Sequence, residues 1–181
     1  MNFDVPDWVV VPVSAGGNFR GIVRGFKEFY LSGLIDRMPR FIVAQAEGCC
    51  PIVKAFEEGN RKIRRFEAPH TMAHAIENPF PPSGNEVLRL VRDNQWTCCS
   101  VSEEEILKAQ AELACEGLFV QPASAVSLGA LKKCKSLGFL EGGERVALVL
   151  TGGGLKYTAV FADHDLGWEN CSLEKLGDRL S

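Results

Sequence analysis

A strand-like run, Trp8 to Val13, empties into Ser14-Ala15-Gly16-Gly17-Asn18 and then directly into a helical pattern. Adjacent glycines let a backbone turn tightly and approach a ligand with no Cβ in the way, and free N–H groups at a helix start point at the same spot. That combination can hold a phosphate. The same residues also suit an ordinary strand-to-helix turn with Asn18 as its cap, and the local pattern does not choose between the two. The glycines fall at 16, 17 and 21 and no Lys-Ser/Thr follows, so neither the dinucleotide nor the P-loop fingerprint is present. NAD and ATP are therefore poor candidates. A second glycine-rich turn, Thr151-Gly152-Gly153-Gly154-Leu155-Lys156, follows the last apolar run. Thr151 offers a hydroxyl that can donate to or accept from a ring nitrogen, or it simply closes a strand. Ligands of parallel α/β sheets gather outside the carboxyl ends of the strands, which predicts that both turns face one pocket. A third such end, Gln45-Ala46-Glu47-Gly48, adds a carboxylate whose plainer role is solvation.

The elements that must position these turns are short. Apolar runs at Trp8 to Val13, Phe41 to Ala46, Trp96 to Val101 and Arg145 to Leu150 suit strands covered on both faces. Pro12 removes one ladder donor, so the first strand is expected either at an edge or with its pairing broken near its end. Between the runs, Arg20 to Gly33 carries a one-sided apolar stripe that stops at a glycine. Ser102 to Ala114 opens with a capping box, Ser102 answered by Glu105. Ala123 to Leu137 turns basic at its end, as the helix dipole favours. Pro69 to Gly84 holds four prolines and reads as an irregular connection with about one helical turn in it. Strand alternating with helix predicts an α/β fold: a parallel or mostly parallel twisted sheet with helices on both faces.

Composition sets the outer bounds. The 181 residues are 46% hydrophobic and 24% charged, the proportions of a folded globular chain. A net charge of -3 leaves no surplus of cation for a nucleic-acid backbone. No apolar run approaches the roughly 20 residues of a membrane helix, and Met1 to Asp4 lacks a signal-peptide pattern, so a cytoplasmic protein without nucleic-acid or membrane partners is expected. Seven cysteines, two pairs of them adjacent in sequence, are expected as reduced thiols. Cys49 and Cys50, ahead of Pro51, are either reactive at a helix start or plain buried thiols. His70 and His74 share i, i+4 spacing but find no third ligand, so no metal is expected. The basic run Arg61-Lys62-Ile63-Arg64-Arg65 reads as a solvated loop.

Four segments in order, VPVSAGGNFRGIVRGFKE, QAEG, ILKAQAELACEGLFVQPASA and LTGGGLK, resemble the carboxyl-terminal half of the threonine synthase family, within the fold type II (tryptophan-synthase β-like) pyridoxal-phosphate enzymes. The resemblance spans residues 5–156. It implies that Ser14, Ala15, Gly16, Gly17 and Asn18 cradle the phosphate of pyridoxal 5'-phosphate and that Thr151 hydrogen-bonds the pyridine nitrogen. It also implies conversion of O-phospho-L-homoserine and water to L-threonine and phosphate, and a homodimer. Gln121 stands where the family usually has an acid, keeping the hydrogen bonds but not the charge.

The family's Schiff-base lysine and substrate loops belong to an amino-terminal half with no counterpart among these 181 residues, and Lys156 does not fit the missing role. The resemblance thus implies a cofactor-binding large-domain portion over residues 1–156, an unassigned tail over 157–181, and no turnover by this piece alone. Two alternatives remain open: another fold type II enzyme, a threonine dehydratase or cysteine synthase, or a phosphate-binding module without catalysis.

Overall fold

The apolar runs form a sheet because the three strands β1 to β3 find apolar cover on both sides, while the fourth, at the edge, is only partly covered. Trp8–Pro12 (β1), Arg40–Ala46 (β2), Thr97–Val101 (β3) and Val146–Leu148 (β4) pair in the order β3-β2-β1-β4, all parallel. The computed structural model describes residues 4–158, 171–172, 174–175 and 177; most of the expected 157–181 tail lies outside the described residues. Register places Val10 opposite both Ile42 and Leu148, which keeps each apolar side chain on the face its neighbours use.

One face of the sheet, with Trp8, Val10, Ile42, Ala44 and Val101, packs against Glu103–Cys115 (α4) and Pro122–Ser136 (α5). The other, with Val9, Val11, Phe41 and Val43, packs against Gly17–Leu31 (α1), Pro51–Glu57 (α2) and Gly84–Asp93 (α3). The expected α/β architecture, a parallel sheet between two helical layers, is the observed one. Phe19 of α1 meets the Phe41 ring edge-on at 5.6 Å, and Trp96 lies 4.6 Å from Phe41. Each such ring pair adds about 0.5–1.5 kcal/mol to the burial term. The cluster therefore anchors the first turn of α1 on the sheet and fixes where that helix start points.

Several local expectations change. Pro12 lies in an interior strand, because β4 adds on the far side of β1 from β2. Val13 N–H donates to Ala44 O at 2.9 Å, so alternation turns the Pro12 nitrogen toward β4. There β4 has already ended, and the Val149 carbonyl takes the Ser127 hydroxyl instead at 3.0 Å. Broken pairing, not an edge, accommodates the proline. Helix α1 starts at Gly17, and its cap is Gly16 in a left-handed conformation, so Asn18 is a first-turn residue and not the cap. The α4 capping box forms as expected, with Glu105 N donating to Ser102 Oγ and Ser102 N to Glu105 Oε2. Helices α2 and α3 carry no counterpart in the sequence reading. The 69–84 connection is irregular, with a single 3-10 turn at His74–Ile76.

Candidate functional site

The chain steps from β1 outward to β2 and β3, then returns to lay β4 on the other flank of β1. Such a reversal of strand order opens a crevice at the carboxyl ends of the strands, where parallel α/β sheets bind their ligands. A cavity of about 390 Å³ lies there, lined by residues 12–19, Ala75, Ile76, Gln121 and Thr151. The structure thus brings Ser14, Ala15, Gly16, Gly17, Asn18 and Thr151 to one cavity.

Local chemistry explains each wall. Gly16 has φ of 92°, and a Cβ there would sit 2.9 Å from both Ser83 Cβ and Val87 Cγ2 at the start of α3, so only glycine fits. Gly17 faces open space. No side chain among the described residues caps α1 and its first turn carries no acid, which leaves the first-turn amides and the positive dipole end for a ligand. The turn is held from behind. Ser83 N–H donates to Ala15 O at 3.1 Å, and Gln45 Nε2 donates to Val13 O at 3.2 Å. Gln45 is fully buried, and its Oε1 accepts the Ile52 and Val53 amides at 2.9 and 3.2 Å, locking β2, the end of β1 and α2 together.

The opposite wall is the turn after β4. Ser124 of α5 accepts Gly152 N–H at 2.8 Å and lies 3.2 Å from Thr151 Oγ1. Gln121 N–H donates to Gly152 O at 3.1 Å, and the Gln121 amide packs so closely on Gly152 that a Cβ would stand 2.5 Å from its Nε2. The arrangement can hold an elongated ligand with a dianionic group at the α1 start and a ring nitrogen at Thr151. The cavity volume falls in the range of small-molecule sites.

Sequence reasoning missed four contributors: Ala75 and Ile76, supplied by the 69–84 connection, and the two buried polar residues Gln45 and Ser124. Gln45 interrupts an otherwise apolar strand, which was the available signal. Other candidates fall away from the cavity. Glu47 is exposed in a 3-10 turn, and Lys156 is exposed in another, neither among the cavity residues. His70 lies in irregular chain and His74 opens the 3-10 turn, so they share no helical face; His74 Nδ1 instead pairs with Glu77 at 3.1 Å. Cys49 and Cys50 are buried, and burial pushes both thiols up, Cys50 to about 11 with Glu57 adding to the effect. The reactive reading of this pair is overturned: desolvation outweighs the helix start. Arg61, Lys62, Arg64 and Arg65 form an exposed loop, as expected.

With the geometry set, comparison with known proteins defines the class. The chain belongs to the pyridoxal-phosphate dependent enzyme family, which matches residues 1–152. Within that class it is 42% identical over 157 residues to threonine synthase of Methanosarcina acetivorans, covering 86% of this chain and 39% of that protein. Threonine synthase of Methanocaldococcus jannaschii is 41% identical with the same coverage. The chain therefore spans about 39% of the length of these relatives. Among solved structures, a threonine deaminase from T.th. matches with a TM-score of 0.64 at 26% identity, over 82% of this chain and 49% of that one. Threonine synthase from Escherichia coli shares the fold, with a TM-score of 0.62 at 22% identity over 96% of this chain and 39% of that one. Among the described residues no helix is long and apolar enough to cross a membrane.

Proposed function

We propose that this chain is the cofactor-gripping portion of a threonine synthase, the enzyme that turns O-phospho-L-homoserine and water into L-threonine and phosphate. The observation that carries the reading is the switch-point cavity in which the 14–18 turn and Thr151 meet. The first-turn amides of α1 hold the cofactor phosphate, assisted by the helix dipole. Thr151 meets the pyridine nitrogen. Pyridoxal phosphate, when bound, supplies an electron sink for the substrate's α carbon.

The chain's own residues tune that setting. Thr151 is a neutral hydroxyl, so it hydrogen-bonds the ring nitrogen without forcing a proton onto it, which tempers the sink. Gln121 keeps the wall uncharged. Ala75 and buried Ile76 supply apolar surface on one side of the cavity. No lysine lines the cavity among the described residues, so we assign the Schiff-base amine and the substrate loops to the part of the relatives that this chain does not span. Residues 1–156 are accordingly the large-domain portion and 157–181 a carboxyl-terminal tail, in a cytoplasmic homodimer. A threonine-deaminase-type elimination is the second reading, favoured by the likeness to that structure at 26% identity; the higher identity to threonine synthases ranks it behind.

Titration of the purified chain with pyridoxal 5'-phosphate, followed by cofactor absorbance and phosphorus NMR, tests the reading. Saturable binding is expected, with no single borohydride-trapped lysine and no turnover of phosphohomoserine. Gly17→Asp adds bulk and like charge beside the phosphate and is expected to abolish binding. Equal affinity in that variant refutes the assigned cavity.

A further inference from the structure

The basic run Arg61-Lys62-Ile63-Arg64-Arg65 takes no part in the cavity at the strand ends, yet the chain that carries it is pinned in place. Asn60 N–H donates to Ala55 O at 2.9 Å, Ile63 N–H to Asn85 Oδ1 at 2.9 Å and Phe66 N–H to Pro79 O at 2.8 Å. The Ile63 side chain is buried, and Gly84 makes room for it, since a Cβ there would stand 2.5 Å from Ile63 Cδ1. Arg64 and Arg65 therefore lie between two fixed residues, Ile63 and Phe66. Both line a cavity of about 330 Å³ beside α2, which shares no lining residue with the cavity at the strand ends. Lys54 of α2 joins them, its ammonium 5.9 Å from the centre of the Phe66 ring, which also lines the space.

The chain's other arginines set these apart. Arg20, Arg24, Arg37, Arg40, Arg89 and Arg145 each meet a carboxylate, and Arg92 donates to Ala55 O at 3.0 Å. Among the described residues only the arginines of the 61–65 run make neither an ion pair nor a hydrogen bond, and two of those three line this cavity. The two acids of the lining do not neutralise them: Glu58 Oε2 takes Asn60 Nδ2 at 2.6 Å, and Glu67 makes no ion pair among the described residues. Guanidinium forks bind oxyanions two oxygens at a time. The volume exceeds what a bare oxyanion fills, and the Phe66 ring offers a face to a carbon skeleton.

We propose that this cavity is a second binding site, for a small phosphate monoester, in which Arg64, Arg65 and Lys54 hold the phosphate and Phe66 flanks the organic part. A phosphate presents three oxygens to the three cationic groups, where a carboxylate presents two. The site is independent of the cofactor assignment made above.

The test titrates phenyl phosphate into the full 181-residue chain labelled with nitrogen-15 and follows its NMR signals. Saturable movement of the Arg64 and Arg65 Nε–H signals and of the Phe66 amide is expected. Affinity read at the Phe66 amide is expected to fall roughly tenfold for each guanidinium removed in Arg64→Ala and Arg65→Ala. Both side chains are exposed and bond to nothing that holds the fold, so the variants should keep the wild-type circular dichroism. Gly17→Asp, which acts only on the cavity at the strand ends, is expected to bind the probe at the Phe66 site with wild-type affinity. Phenylacetate, the matched carboxylate, is expected to bind at least roughly tenfold more weakly than phenyl phosphate. Arginine signals that stay in place or move without saturating overturn the proposal, as does equal affinity in the two alanine variants. Phenylacetate binding as tightly overturns the choice of phosphate. Binding lost in Gly17→Asp and kept in the arginine variants puts the probe in the other cavity and overturns this site while leaving the cofactor assignment standing.

Discussion

Gly16→Ala probes how the turn at residues 14–18 is held. At φ of 92° an L-residue with a side chain pays about 1–2 kcal/mol in backbone strain. The added Cβ would also stand 2.9 Å from Ser83 Cβ and from Val87 Cγ2. Neither neighbour yields easily, since Val87 is fully buried in α3 and Ser83 is tied to the turn through its amide and Ala15 O. Overpacking of this kind costs about 1–3 kcal/mol. The sum is about 2–5 kcal/mol, a large share of the 5–15 kcal/mol typical of a folded domain. With a urea slope near 2 kcal/mol/M, the unfolding midpoint should fall by about 1–2.5 M. Gly17→Ala is the control: its φ is not in the left-handed region and its Cβ meets nothing within 4 Å. There, alanine in a first helical turn should leave stability unchanged or raise it by up to about 1 kcal/mol. Urea unfolding followed by circular dichroism measures both. A Gly16→Ala midpoint equal to wild type would refute the claim that close approach of α3 fixes the turn.

Gln45→Leu strands the Val13 carbonyl and the Ile52 and Val53 amides in the interior. At about 1–3 kcal/mol for an unsatisfied buried group, with two amides sharing one acceptor, a loss of about 2–4 kcal/mol is expected; faster hydrogen exchange at Ile52 and Val53 checks the location. Cys50 has its thiol raised from 9.0 to about 11 in the folded chain, chiefly by burial. Because the raised value favours the protonated thiol in the folded state, its contribution is intact below pH 9 and is lost as pH rises through about 11. Stability against urea should therefore fall between those values, less so in Cys50→Ala, and iodoacetamide at about pH 8 should label exposed Cys115 and spare Cys50.

What the sequence made legible follows from how local each signal is. The α4 cap needs only Ser102 and Glu105, three residues apart, and Gly33 ends α1 through its own positive φ and bonds back to the helix. The Gly16-Gly17 pair advertised a tight turn, although the left-handed cap at Gly16 moved the helix start ahead of Asn18. Helix α2 has seven residues, too few for a periodic stripe, and α3 follows a proline-rich stretch without a side-chain cap. Gln45 shows locally only as a polar break in an apolar strand, and Ser124 carries no local signal for its role. Each is defined by a partner 28 or more residues away, Val13 O for one and Gly152 for the other, so their meaning appears only after the chain has folded.

The same reasoning explains why two weak turns combine into one site. Neighbouring strands lie about 4.8 Å apart. Because β4 adds beside β1, the turn bearing Thr151 emerges one strand spacing from the turn that starts α1. Had β4 continued the sheet beyond β3, the separation would be three spacings, about 14 Å, and the two turns could not line one cavity of this size. Strand order thus brings a glycine turn and a lone hydroxyl 133 or more residues apart to one cavity. Neither wall would be informative alone. Their meeting at one crevice, with Gln121 beside Thr151, gives the proposed cofactor assignment its two ends: helix-start amides at one and a hydroxyl at the other.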